Sequence, residues 1–307
     1  MTSHRQLLIV VMWMTGTLLS FSVMAVAIRS LSGALSILEI LTIRAVLGLL
    51  IVLSIMAIRP ELRHSIKTQR IGLHLLRNGV HFISQYLWAM SLLLLPLATV
   101  FALEFTMPAW TILLAPFFLG ERMTPSRIGA VILGIAGVLV IVRPGMETFQ
   151  PASLMVLAAA FGYAINIITT KKLTATDSTF AIVFWMNAMQ TVLGVAVAGV
   201  TFVGKITWEL APAIIAIGTA GLFAHYCMTN AFRAGDASVV VPIDFLRIPL
   251  IAVVGWWLYS EPVDIFVFAG AALIISGILW NLRNETRRPV AVGNLAPAPG
   301  KAGSQSG

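Results

Sequence analysis

Residues 239–250 read VVVPIDFLRIPL. Both flanks are membrane sequence, yet the stretch carries an acid and a base, Asp244 and Arg247, one helical turn apart. An ionisable side chain inside a span costs roughly 2.5–3.5 kcal/mol on insertion scales, so each one is a functional residue until another role is found for it. Whether this pair faces lipid or a wet interior decides how the whole chain is read.

The surrounding sequence excludes a water-soluble fold. Of 307 residues, 59% are hydrophobic and only 10% charged, against about 25% charged in soluble domains; the mean hydropathy is +0.94. Apolar runs long enough to span a bilayer recur from end to end. The net charge of +8 lies mostly in the loops between them, where it encodes orientation and not nucleic-acid binding. A single cysteine, Cys227, rules out an internal disulfide and a Cys-rich metal site. Arg5 and Ala25-Val26-Ala27 imitate a signal peptide. The apolar run between them exceeds the roughly 7–15 residues of a signal-peptide core, which makes it an uncleaved first helix.

Charged and Pro/Gly-bearing turns divide the chain into spans near 6–28, 36–58, 72–94, 97–119, 126–143, 152–170, 178–203, 211–231, 237–259 and 263–282. Each is long enough to cross about 30 Å of hydrocarbon. With a cytoplasmic N-terminus, fourteen Lys and Arg residues fall in inside segments, and only Arg29, Arg143 and Lys205 fall outside. The positive-inside rule then places both termini in the cytoplasm. Arg44, Arg77 and Arg247 are left within spans.

The two halves repeat. An offset of 140 residues matches Tyr86 with Tyr226, Glu104 with Asp244, Glu121 with Glu261 and Gly137 with Gly277, and nearly superposes Pro108 and Pro249. The first two spans of each half fit better at 143, setting Arg29 against Lys172 and Arg44 against Asn187. Each half holds five spans, an odd number, so the second copy enters the membrane reversed. The fold expected is an all-α integral membrane protein of ten transmembrane helices, built as two inverted five-helix repeats. Residues 1–143 form the first repeat, 152–283 the second, and 284–307 a disordered cytoplasmic tail rich in Pro, Gly, Ala and Ser. Inverted repeats typify secondary transporters, whose substrate sites lie near the midplane between the halves.

The intramembrane charges fit such a site. At 1.5 Å per residue, Asp244 and Glu104 lie about 10 Å below opposite faces, and Arg247 shares the helix face of Asp244. Arg44 is near the centre of its span. Arg247, Arg77 or Arg44 would hold a substrate carboxylate, because a guanidinium fork matches that anion. Asp244 or Glu104 would hold an amine or carry a coupling proton. The competing account is that Asp244 and Arg247 only neutralise each other, that Glu104 pairs with Arg44 or Arg77, and that Arg77 snorkels to the headgroups. Asn78, His81, Gln85 and Tyr86 follow Arg77, while His225, Tyr226 and Asn230 fall on span eight; each could equally bond a neighbouring helix. Asn166, Asn187 and Gln190 add polar groups, and Trp88, Trp110 and Tyr163 could form aromatic walls. Trp208 and Trp280, near helix ends, suit belt anchoring. Glu39 reads as interfacial, and Glu121 and Glu261 as acids bonding backbone donors at the start of the next helix. Pro108, Pro242 and Pro249 can bend spans four and nine, with Pro108 and Pro249 as hinge candidates. Gly129, Gly134, Gly137, Gly270 and Gly277 permit close helix packing.

The stretches PLATVFALEFTMPAWTILLAPFFLGERMTPSRIGAVILGIAGVLVIVRPG (96–145) and DASVVVPIDFLRIPLIAVVGWWLYSEPVDIFVFAGAALIISGIL (236–279) together resemble the signature of EamA-type transporters of the drug/metabolite transporter superfamily. Arg77 and the segment DASVVVPIDFLR resemble the branch that includes S-adenosylmethionine and riboflavin transporters. The resemblance implies movement of a small metabolite, such as an amino acid, an amino-acid derivative or a cofactor-like compound, without ATP. It implies a plasma-membrane location, the inner membrane of a bacterium.

Other classes fit less well. The near phosphate-binding loop Gly199–Ile206 has Ile206 where Ser or Thr is required. No cofactor, metal or nucleic-acid partner is expected; the partners are the substrate and the lipid bilayer, and a homodimer is left open. The rival is a membrane-embedded enzyme using Asp244 or Glu104 with a histidine, although an enzyme needs no two-fold symmetry across the membrane.

Overall fold

The computed structural model describes residues 4–120, 123–143, 150–234 and 243–286. Among them the chain is helical, without strands. The first half contains α1 (His4–Leu31), α2 (Ile37–Ile58), α3 (Ile71–Leu94), α4 (Leu97–Glu104), α5 (Met107–Leu119) and α6 (Pro125–Val142). The second contains α7 (Ala152–Leu173), α8 (Thr179–Ala198), α9 (Ala211–Ala234), α10 (Arg247–Tyr259) and α11 (Ile265–Thr286). Short 3-10 turns at Pro60–Ile66 and Thr201–Lys205 precede α3 and α9.

Eight segments are long and apolar enough to cross a membrane, α4 and α5 together counting as one. The other two places in the ten-span reading belong to α3 and α10. α3 is 24 residues long, but one face is polar and buried, with His74, Arg77, Asn78, His81, Ser84 and Gln85 on it. α10 is a 13-residue apolar helix, and the stretch 235–242 that would extend it lies outside the described residues, together with Pro242.

The second helix of each half starts on a serine cap. Ser36 and Glu39 form a reciprocal capping box at α2, and the Ser178 hydroxyl accepts from Ala181 N at α8. Either cap satisfies a backbone donor that the helix leaves free. The fourth span is broken after Glu104, at Phe105–Thr106, and the chain turns at the equivalent Phe245–Leu246 before α10. The breaks therefore precede Pro108 and Pro249 and do not fall on them. Pro108 sits in the first turn of α5, where its missing N–H would be unpaired in any case.

The halves interlock through equivalent contacts. α1 packs on α9 as α3 packs on α7, and α2 lies against α8 and α6 against α11. In the α6–α11 seam a Cβ on Gly137 would stand 2.5 Å from the Gly270 carbonyl oxygen, and one on Gly277 would stand 3.1 Å from the Ala130 carbonyl oxygen. Adding 140 to one member of the first pair and subtracting it from the other gives the second pair. The seam thus obeys the two-fold relation read from the sequence, and glycine is required because backbone meets backbone there.

Candidate substrate site

The two breaks deliver their flanking residues to one cavity between the halves, of about 440 Å³. Its polar lining includes Arg44, His81, Gln85, Glu104, Asn166, Asp244 and Arg247, set among Phe21, Trp88, Phe105 and Tyr163. Pro108 also lines it, and so does Met107, the repeat equivalent of Arg247. Glu104 is the last residue of α4 and Arg247 the first of α10. Each stands at the end of its helix where the dipole disfavours its charge, so neither is there to cap a helix.

These charges meet each other. Arg247 Nη2 donates to Asp244 Oδ2 at 2.8 Å, while Arg247 Nη1 lies 3.6 Å from Glu104 Oε1. Trp88 Nε1 donates to Glu104 Oε2 at 2.7 Å. The guanidinium lies over the rings of Phe21 (4.4 Å) and Phe105 (4.8 Å), which holds it by cation–π attraction in a site shielded from water. Two carboxylates share one guanidinium, leaving this end of the cavity acid-rich. Asp244 Oδ1 is buried and makes no hydrogen bond among the described residues.

Arg44 is arranged differently. Its Nη2 donates to the side-chain oxygens of Gln85, from α3, and Gln190, from α8. Both partners are neutral, and Arg44 Nε is buried without one among the described residues. Gln190 Nε2 lies 2.7 Å from His81 Nδ1, and Gln85 Nε2 lies 3.1 Å from His81 Nε2. The His81 ring packs edge-on against Tyr163 at 5.8 Å. The cavity lining therefore holds two polar groups, one in which two carboxylates share Arg247 and one in which Arg44 is held by neutral amides from both halves.

Other expected site residues lie elsewhere. Arg77 does not snorkel; it is buried, with Nε donating to Thr170 Oγ1 at 2.7 Å and Nη1 to Asn78 Oδ1 at 3.2 Å. Asn78 Nδ2 donates to His74 O at 2.9 Å. Both residues tie α3 to its neighbours outside the cavity lining, because they occupy the α3 face toward α7 and α8. Tyr86 is partly buried against the apolar core. Tyr226 is 60% exposed and meets Trp13 edge-on, and Asn230 bonds the Tyr226 carbonyl of its own helix. The outward rotation of α9 at these positions separates them from the cavity. The His225 side chain lies outside what is described, as does Glu121. Pro249 is exposed and absent from the lining. Glu104 pairs with Arg247 instead of Arg44 or Arg77.

Several polar ties between the halves went unread in the sequence, among them the following. At one end of the bundle Arg29 forms an ion pair with Glu261 and donates to Leu92 O and Leu95 O at 2.6 and 2.7 Å. Glu261 also accepts from Leu97 N at 2.8 Å; it bonds the start of α4 in the opposite half, not the helix that follows it. Glu39, beyond its capping role, pairs with Lys205 Nζ at 2.7 Å, which gives the lysine of the false phosphate loop a structural partner. At the opposite end His74 Nε2 lies 2.8 Å from Asp177 Oδ2, both side chains being buried. Burial pushes the Asp177 carboxyl up, but hydrogen bonds from Thr68, His74 and Thr176 outweigh it and hold the group below the usual carboxylate range. The readable signal was His74 itself, which extends the polar face of Asn78 and His81 by one turn.

The model of the EamA-like transporter family matches residues 8–143 and 150–283. The chain belongs to that family. Among curated relatives it is 29% identical to a riboflavin transporter of Brucella anthropi over 72% of this chain and 80% of that one. It is 27% identical to an S-adenosylmethionine uptake transporter of Rickettsia bellii over 73% and 77% of the two chains. It is also 27% identical to the pseudopaline exporter CntI of Pseudomonas aeruginosa, over 69% and 75%. A solved crystal structure superposes with a TM-score of 0.60 at 18% identity, covering 91% of this chain and 99% of the other, and so shares the fold. As a multi-pass membrane member of a transporter family, the protein is no membrane-embedded enzyme.

Proposed function

We propose that the protein carries a small polar or zwitterionic metabolite across a bacterial inner membrane by alternating access of its two halves, driven by an ion or by exchange. The observation that supports this most is the dipolar cavity between the repeats. It is bounded at one end by Glu104, Asp244 and Arg247 and at the other by Arg44. A cationic group of the substrate, or a coupling proton, would be held by the acids; an anionic group would sit near Arg44. The size lies within the range of about 300–1,000 Å³ usual for ligand sites. With both termini cytoplasmic, the Arg29–Glu261 tie closes the outer end and the His74–Asp177 tie the inner one, and alternating access requires each to open in turn. The relatives' printed substrates, riboflavin and S-adenosylmethionine, are the first compounds to try.

Purified protein in sealed vesicles tests the reading. Counterflow is measured with amino acids, S-adenosylmethionine, flavins and organic cations, with and without a pH gradient. Saturable counterflow with unchanged substrate supports it. A chemically altered product, or ionic conductance without counterflow, would overturn it.

A further inference from the structure

At the end of the bundle where α2 gives way to α3, an open pocket of about 1060 Å³ lies between the two halves. Lys67, Thr68 and Arg70 of the linker and Ile71, the first residue of α3, line it from the first half; Thr176 and Trp185 line it from the second. The linker is strapped across to that second half. Ser178 Oγ donates to Ser65 O at 3.0 Å, Trp185 Nε1 to Ile66 O at 2.9 Å, and Arg70 Nη1 to Lys172 O at 3.1 Å. The wall is thus fixed on both sides of Lys67. Lys67 is exposed and has no hydrogen-bond or ion-pair partner among the described residues. Arg70 uses one N–H on the Lys172 carbonyl, and the rest of its fork remains. Asp177 also lines the pocket, but its carboxylate is buried and already taken up by hydrogen bonds from Thr68, His74 and Thr176. Lys67 and Arg70 therefore face the pocket with no carboxylate in its lining left to answer them.

The rim is apolar on the α3 side. Ile71 is 45% exposed, and Leu75, one turn further along, is 59% exposed. Trp185, partly buried in the opposite wall, is of the residue type enriched where headgroups meet hydrocarbon. We propose that this pocket binds the phosphate headgroup of an anionic phospholipid. Lys67 and Arg70 hold the phosphate, and the acyl chains lie along Ile71 and Leu75. The occupant must carry negative charge and apolar surface together, because the pocket offers cations beside an apolar strip; a free phosphate would use only the first. Basic pockets between membrane helices take such headgroups. Since the walls come from both halves, a bound lipid fastens the linker of the first half to the α7–α8 turn of the second and stabilises this end of the bundle. The pocket shares no lining residue with the substrate cavity, so the inference stands or falls apart from the substrate reading.

Purified protein in neutral detergent micelles is titrated with phosphatidylglycerol, with phosphatidylcholine and with inorganic phosphate. Melting temperature and the lipid retained in native mass spectrometry are recorded. Phosphatidylglycerol should bind saturably and raise the melting temperature, and its affinity should fall as salt is added. Lys67→Gln and Arg70→Gln should each weaken it by about 5-fold, the contribution of one basic residue near an anionic lipid. Arg70→Lys, which keeps the charge, should weaken it less. Arg59→Gln removes the same charge from an exposed linker position outside the pocket and should leave binding as it was. If Arg70→Gln does not fold because the bond to Lys172 is lost, Lys67→Gln, which breaks no contact, carries the test. Phosphatidylcholine that stabilises as well as phosphatidylglycerol would overturn the inference, as would equal losses from Arg59→Gln and Lys67→Gln, the mark of a diffuse field. Inorganic phosphate that stabilises to the same extent would overturn the lipid as occupant.

Discussion

The phenyl rings of Phe105 and Phe245, residues 140 apart in sequence, meet edge to face with centroids 5.0 Å apart. They are repeat equivalents, so the two helix breaks touch on the axis that relates the halves. Both are buried, and Phe105 also forms one wall of the cage around Arg247. Phe105→Ala and Phe245→Ala should each destabilise the protein by about 3–5 kcal/mol. The double variant should cost less than the sum by about 0.5–1.5 kcal/mol, the direct ring–ring coupling. Unfolding titrations in mixed micelles would measure the cycle; strictly additive effects would mean the contact does not join the halves.

Asp244→Asn keeps the shape of the side chain and removes its charge. It should insert and remain monodisperse yet lose counterflow. Arg247→Ala should also lose counterflow, and it leaves Asp244 and Glu104 side by side without their shared cation, a loss of about 3–5 kcal/mol. Normal transport by both variants would remove the pair from the site.

Gly137→Ala drives a methyl group to 2.5 Å from the Gly270 carbonyl. Overpacking of this kind costs about 1–3 kcal/mol, and the nearest atom is backbone, with the Ile274 side chain only 2.6 Å away as well. Gly33→Ala, where nothing lies within 4 Å, is the matched control. A lower melting temperature for the first and not the second is expected; equal melting would show that the seam tolerates separation.

The Asp177 carboxyl is held below its ordinary range in the folded protein. Its contribution to stability is therefore fully present above the unfolded-state value and is lost as pH falls through the lower folded-state value. Acidification should weaken the tie to His74 and Thr68, and Asp177→Asn should flatten the acid limb of the stability profile while lowering stability at neutral pH. Melting temperature against pH, for wild type and variant, checks both signs.

Much of the polar lining of the cavity was legible because chemistry in a membrane is sparse. Glu104, Asp244, Arg247 and Arg44 stood out as charges among apolar residues, and the 140-residue offset put Glu104 and Asp244 at equivalent positions before the helix breaks. The same logic overreached for Tyr226 and Asn230, since a span carries polar groups on any face and sequence does not give the rotation of one helix against the next. It also assigned Arg77 to the cavity, when the Thr170 hydroxyl and Asn78 satisfy it. Ties such as Arg29–Glu261, separated by 232 residues, leave no local trace at all.

The sequence alone determined the class, an all-helical membrane fold, and the two-fold repeat. Hydropathy and charge act on each segment independently of where the other segments lie, and a repeat is a property of order along the chain. Only the tertiary structure decided which arginine keeps company with carboxylates and which with glutamines. That choice depends on which helix faces meet across the halves, and ångström distances between side chains far apart in sequence decide it.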